Sequence, residues 1–165
     1  MESSEDRGRQ ASIDGFAHEH IVAGILMKKY QNVSLVDLPL SPYDIIIVFK
    51  QSDGKEIIIR AQVKTSRTSI HFTGGLRGGV DREYKSGIKE YTQSPETSDV
   101  VIGIKPISFD TFELYFVPTV LIPIWKTKSK SLNQIEPLKN NYEMLEKCKD
   151  YDYIIVDTGE SFSDV

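Results

Sequence analysis

Two short β-branched runs with a turn between them constrain this chain more than anything else in it. Tyr43–Phe49 reads YDIIIVF and Ile57–Val63 reads IIIRAQV, with Ser52-Asp53-Gly54 in the middle. β-branched side chains favour the extended chain, and Asp-Gly favours a tight reversal, so a hairpin with strands over 43–50 and 55–65 is predicted. Folding it about residue 53 sets position 44 across from position 62. Side chains alternate along a strand. One face then carries Ile45, Ile47, Phe49, Ile57, Ile59, Ala61 and Val63, all apolar. The other carries Asp44, Ile46, Val48, Ile58, Arg60, Gln62 and Lys64, with its polar groups gathered at the open end. A strand pair covered on both faces has no structural reason to end in Asp, Gln and Lys side by side, because unpaired buried charge is costly. Local misfits of this kind tend to mark function.

The rest of the chain supplies elements to pack on that hairpin. Residues 1–11 are polar and charged and read as a flexible tail. A helix is predicted over 12–31, with Ser12 as its cap and Ile13, Phe16, Ala17, Ile21 and Ile25 as its apolar stripe. A first strand is expected at 33–38, a short one at 69–72, and further strands at 99–105 and 111–117. A helix is expected at 83–93, a closing helix at 135–148 and a last strand at 153–156. Pro118 and Pro123 turn the chain away after residue 117. Helix, three strands, helix, two strands implies one α/β domain over 12–157, a central mixed β-sheet flanked by helices, with 158–165 frayed. A chain of 165 residues is long enough to bury a sizeable core. It has no apolar run long enough for a membrane span. Its single cysteine, Cys148, excludes an intrachain disulfide and a cysteine-rich zinc site. With no apolar signal core in MESSEDRGRQ, the cytoplasm is the expected compartment.

Pro42-Tyr43-Asp44, followed eighteen positions after the Asp by Gln62-Val63-Lys64, resembles the signature of the PD-(D/E)XK nuclease superfamily. That superfamily includes many restriction endonucleases, Holliday-junction resolvases and some homing endonucleases. Its pattern is an Asp on one strand and D/E-x-K on the next, with a Glu on the preceding helix. Asp44 and Lys64 take the first and last places, and Glu19 is the helical acid. Gln62 stands where Asp or Glu is usual; R-x-Q-V-K-T-S-R is most like the homing-endonuclease branch. The resemblance implies a restriction-endonuclease-like sandwich and metal-dependent hydrolysis of DNA. Asp44, Gln62, Lys64 and Glu19 would be catalytic. The metal, Mg2+ with Mn2+ able to substitute, would be held by Asp44, Glu19, the side-chain carbonyl of Gln62 and the backbone carbonyl of Val63. Magnesium takes hard oxygen ligands and keeps several waters, which this set allows. Lys64 would hold or help deprotonate the attacking water.

Charge pulls the other way in sum but not in distribution. The net charge is −4 and the isoelectric point about 5.4, against the basic footprint usual for duplex-DNA proteins. Lys64, Arg67, Arg77, Arg82, Lys85 and Lys89 nevertheless cluster just after the motif, around the glycine-rich TGGLRGGVDR. Ser66, Arg67, Arg77, Arg82 and Lys85 are the expected DNA contacts, glycine allowing close backbone approach to phosphate. Lys126, Lys128 and Lys130 read as solvated surface. His18 and His20 project about 160° apart on a helix and cannot share a metal. Cutting both strands of a duplex implies a homodimer or tetramer. Two other readings stay open: a catalytically impaired nucleic-acid-binding module of the same fold, and a Holliday-junction or repair nuclease.

Overall fold

A computed structural model describes residues 3–38, 40–75 and 90–157. In chain order the elements are α1 (Ser4–Met27), β1 (Asn32–Leu35), β2 (Ile45–Lys50), β3 (Glu56–Thr65), β4 (Ser69–His71), β5 (Thr73–Gly74), β6 (Tyr91–Thr92), β7 (Val100–Pro106), β8 (Phe112–Pro118), α2 (Leu121–Trp125), β9 (Ser129–Ser131) and α3 (Tyr142–Glu146). The architecture is mixed α/β around a five-stranded sheet in the order β1-β2-β3-β7-β8. Among the described residues, only β3 and β7 pair in parallel. Two two-stranded ribbons, β4 with β9 and β5 with β6, lie beside it.

The hairpin forms as its pattern requires. Ile45 faces Ala61 and Ile47 faces Ile59, the pairing about residue 53. Asp53 Oδ1 accepts the Lys55 N–H at 2.9 Å and Gly54 takes φ 83°, a left-handed value that glycine adopts without a Cβ clash. The apolar face is buried against α1, in a core of Val22, Ala23, Leu26 and Tyr30 on Ile45, Ile47, Ile59, Ala61, Val63, Ile102, Ile104, Leu114 and Phe116. Among the described residues, a second core covers the opposite face of β7 and β8 only. Val101, Tyr115 and Val117 pack there under Ile70, Phe72, Leu121, Ile122, Leu132 and Ile135. The second face of β2–β3 is therefore only partly buried, contrary to the premise drawn from its Ile and Val residues: Ile46 and Val48 are half-buried and Ile58 is 53% exposed.

Several expectations are corrected. Residues 3–11 are not a tail. The first helix begins at Ser4, because Ser3 and Asp6 form a reciprocal capping box, Ser3 Oγ accepting the Asp6 N–H at 3.1 Å. Ser12 is inside the helix and donates to Gly8 O. The buried stripe is His18, Val22, Ala23 and Leu26, while Ile13 and Phe16 are exposed. The sheet chose a face rotated from the one apolarity suggested. Of the predicted helix 83–93, residues 83–89 lie outside the described residues, and Tyr91–Thr92 is a strand. The closing helix is broken into a 3-10 turn at Glu136–Leu138 and α3, since Asn140 takes φ 50° and Asn141 caps a new start by accepting the Met144 N–H. Tyr153–Asp157 is a π-helical turn, not a strand. Lys130 is not solvated surface: it is buried on β9, its ammonium 5.0 Å from the Trp125 ring centre. Among the described residues, no helix is long and apolar enough to cross a membrane.

Candidate active site

The half-open face of β2–β3 carries the polar groups singled out by the sequence. Asp44 immediately precedes β2, and its N–H donates to Ala61 O at 2.8 Å, which continues the hairpin ladder by one step. That step aims its carboxylate at the next two residues of β3. Asp44 Oδ2 accepts the Val63 backbone N–H at 2.8 Å and the Gln62 side-chain Nε2 at 3.1 Å. Gln62 and Lys64 are two positions apart on one strand and so share a face. Ser41, Asp44, Gln62, Lys64, Thr73, Gly74, Gly75 and Tyr91 line a cleft of about 310 Å³. Its far wall is the β5–β6 ribbon. There Gly74 lies so close to Tyr91 that a Cβ would meet the phenol oxygen at 2.7 Å, so glycine lets the ribbon close.

The charges in this cleft are strained by burial. Desolvation raises the Asp44 carboxyl above its ordinary value, against its hydrogen bonds from Val63 and Gln62 and the nearby Lys64 charge. Burial also lowers the Lys64 ammonium, with Asp44 pulling the other way. Lys64 Nζ donates to Thr73 O at 2.8 Å, which ties β3 to the ribbon. Glu19, on α1, is pushed up to about 7, first by burial and then by the Asp44 charge, while His20 opposes. Helix α1 thus places the helical acid within electrostatic reach of Asp44. A buried carboxylate, a second carboxyl titrating near neutrality and a lysine of lowered basicity are a set able to hold a cation and move a proton.

Gln62 is oriented otherwise than expected. Its Nε2 faces Asp44, and its carbonyl oxygen accepts a hydrogen bond from Gln93 Nε2, so this oxygen is not turned to Asp44 as a shared metal ligand would be. Gln93 is fully buried, donates also to Pro42 O at 3.0 Å, and accepts from Ser98 Oγ at 2.7 Å. No sequence signal marks Gln93. It lies in a polar stretch, YTQSPETSD, where nothing local distinguishes a buried amide from a loop amide.

Arg60, on the same face, is structural. It forks onto Asp99, Nη2 to Oδ1 at 2.9 Å and Nε to Oδ2 at 3.2 Å, and donates to Pro95 O at 2.8 Å. This clamps β3 to the entry of β7. Ser66, expected to contact DNA, is fully buried, and its hydroxyl donates to Lys64 O at 3.1 Å. It serves the sheet instead: its N–H donates to Ile104 O at 2.9 Å, and Gly103 leaves room for Ser66 and Ile70. Arg67 is exposed and stands 3.9 Å from Asp14 of α1, beside a groove with His18 and Phe112 rather than in the Asp44 cleft. His18 is a packing residue, its Nδ1 2.7 Å from Thr65 Oγ1 and its ring edge-on to Phe112. Arg77, Arg82 and Lys85 lie outside the described residues. Among the described residues, no group of three or more His, Cys, Asp and Glu converges as a metal cluster.

No family model and no curated protein matches the chain. Among solved structures it is similar to the bacterial homing endonuclease I-Ssp6803I, with a TM-score of 0.49 and 14% identity over 73% of this chain and 76% of that chain. The cleft's own geometry, not this likeness, carries the functional reading.

Proposed function

We propose that this protein is a divalent-metal-dependent DNA endonuclease of the restriction or homing type, acting at the Asp44 cleft. The observation that carries the reading is Asp44, at the entry to β2, meeting Lys64 of β3 in one cleft, with the Glu19 carboxyl of α1 pushed up to about 7 by its burial and by the Asp44 charge. Two neighbouring carboxyls short of compensating charge suit a hard cation that takes one or two carboxylates and keeps its waters. Asp44, through the oxygen not occupied by Val63 and Gln62, would hold Mg2+ or Mn2+ with Glu19 and the Val63 carbonyl. Strand geometry turns that carbonyl to the same side as the Val63 N–H that meets Asp44. Bound there, the metal would supply Lewis-acid stabilisation of the phosphate and a more acidic water.

The protein's own groups do the rest. Lys64, whose basicity burial lowers, orients the attacking water and accepts its proton or offsets the charge developing on phosphorus-bound oxygen. Thr73 O holds the Lys64 ammonium in place. Attack forms one P–O bond as the bond to the leaving sugar oxygen breaks. Substrate is double-stranded DNA. Arg77, Arg82 and Lys85 would neutralise phosphates, and a homodimer or tetramer would be needed to cut both strands.

The test is plasmid cleavage with Mg2+ or Mn2+, comparing the wild type with Asp44→Ala and Lys64→Ala. Metal-dependent nicking or linearisation that falls at least a hundredfold in both variants supports the reading. Equal inertness of all three on supercoiled, methylated and branched DNA sinks it. The amide at position 62 favours a second reading, a nucleic-acid-binding module with an impaired site. It predicts salt-dependent DNA binding without cleavage.

A further inference from the structure

Gln93 has no part in the sequence motif, yet it is a fully buried polar side chain hydrogen-bonded to the cleft's Gln62. Its amide orientation is settled by its neighbours. The Pro42 carbonyl can only accept, so the Gln93 atom 3.0 Å from it is the NH2. Gln93 Oε1 then receives the Ser98 and Thr97 hydroxyls. The same NH2 meets Gln62, so the Gln62 atom facing it is the carbonyl oxygen. Gln62 is left with its own NH2 toward Asp44 Oδ2. The other end of the chain agrees, since an ionised carboxylate only accepts. Each of the two Gln93 amide protons has an acceptor, and the anchor is rigid: Gln93 and Ser98 are fully buried, and Ser98 O in turn accepts from Thr119 Oγ1 at 2.7 Å.

We propose that Gln93 is a positioning residue that locks Gln62 as a hydrogen-bond donor to Asp44, so that Gln62 orients the Asp44 carboxylate and is not itself a metal ligand. Gln62 and the Val63 N–H both occupy Oδ2, which turns Oδ1 outward as the oxygen for a cation or a water. A glutamate at 62, the commoner residue of the resembled motif, has no N–H with which to do this. Glutamine at 62 and glutamine at 93 are thus one device: the second fixes which end of the first meets Asp44. The functional consequence rests on the endonuclease reading, while the hydrogen-bond assignment does not.

The experiment is side-chain NMR on the full-length, isotope-labelled protein without metal. Protons donated to one oxygen each lie about 2 Å from it, hence within about 4 Å of one another. The wild type is expected to show a nuclear Overhauser effect between the Gln62 side-chain NH2 and the Val63 backbone amide, and between the Gln93 NH2 and Pro42. The carboxylate introduced by Gln93→Glu still accepts from Ser98 but cannot donate, so Gln62 flips and the Gln62–Val63 effect disappears. A merely space-filling Gln93 predicts no such loss in a folded variant. Absence of the Gln62–Val63 effect in the wild type overturns the proposal, as does its persistence in folded Gln93→Glu. If that variant fails to fold, the wild-type spectrum decides alone. A protein with the expected spectrum that cuts no DNA loses the endonuclease reading and keeps this assignment.

Discussion

The two ends of the central sheet are built from similar strands and treated differently. At the β7–β8 end both faces are sealed: Ile102, Ile104 and Phe116 face the α1 core, and Val101, Tyr115 and Val117 face the second core, all of them within 1% of full burial. At the β2–β3 end, among the described residues, only one face is sealed. The other stays half-open, and it is there that Asp44, Gln62 and Lys64 collect. A sheet covered by two layers leaves no place for a solvated ion or a polar substrate. A sheet covered by one leaves a rigid floor with a wet surface, and burial of its edges is enough to shift the acids and the lysine toward neutrality. The site sits where the second layer stops.

Core truncation should expose this difference most strongly. Phe116→Ala at the sealed end is expected to lower stability by about 3–5 kcal/mol, whereas Ile58→Ala on the half-open face should lower it by less than about 1 kcal/mol. Urea unfolding of both variants measures the contrast, and equal losses would break it. Next in size is the clamp that joins the two ends. Asp99→Ala strips Arg60 of its fork and leaves the Arg60 backbone N–H, now bonded to Asp99 Oδ2 at 2.8 Å, without its acceptor. A loss of about 2–3 kcal/mol is expected, smaller than for a fully buried pair because Arg60 is 30% exposed. A double-mutant cycle with Arg60→Leu should recover part of it.

Smaller still is Gly103→Ala. A Cβ there meets Ile70 Cδ1 at 2.9 Å and Ser66 Oγ at 3.1 Å, so these must shift, at about 1 kcal/mol. Gly103 pairs with Lys64 across β3 and β7, so the same change should slow metal-dependent cleavage if the lysine acts as proposed. The smallest effect is in pH. Glu19 binds its proton more tightly folded than unfolded, with the folded value at about 7 against an ordinary 4.5. The folded state therefore holds more protons in that window, and stability falls as pH rises from about 4.5 through 7. Glu19 is half-exposed, so the screened effect is at most about 1 kcal/mol. Glu19→Gln should flatten this slope, read from urea midpoints at pH 5 and 8, and Mg2+ at pH 8 should offset it in the wild type alone.

The hairpin and its register are legible because period-two alternation and an Asp-Gly turn are local signals; β7 is legible as a short apolar run and β8 as an amphipathic one. The helix start is misplaced at Ser12 because the cap is set by the box that Ser3 closes with Asp6, whereas the residue three beyond Ser12 is Gly15, with no acid to close one. The wrong stripe on α1 has a different cause. The helix carries apolar residues on more than one side, and the sheet's demand for small and branched side chains at 22, 23 and 26 selected one. Ser66 and Lys130, both polar and both buried, escape a sequence reading because polarity is a poor guide where a side chain finds partners inside.

What the sequence by itself determined is the short-range part: which runs extend, where the hairpin turns, and that Asp44, Gln62 and Lys64 must meet at its open end. These follow from interactions within a few residues or across one turn. The tertiary structure alone decided that the second core stops short of β2–β3, that Glu19 lies within reach of the Asp44 charge, that Arg60 is taken up by Asp99, and that Gln93 reaches across 31 positions to turn the amide of Gln62. These depend on packing between segments far apart in the chain, where each side chain's partner is chosen by the space and the unpaired polar groups left by all the others.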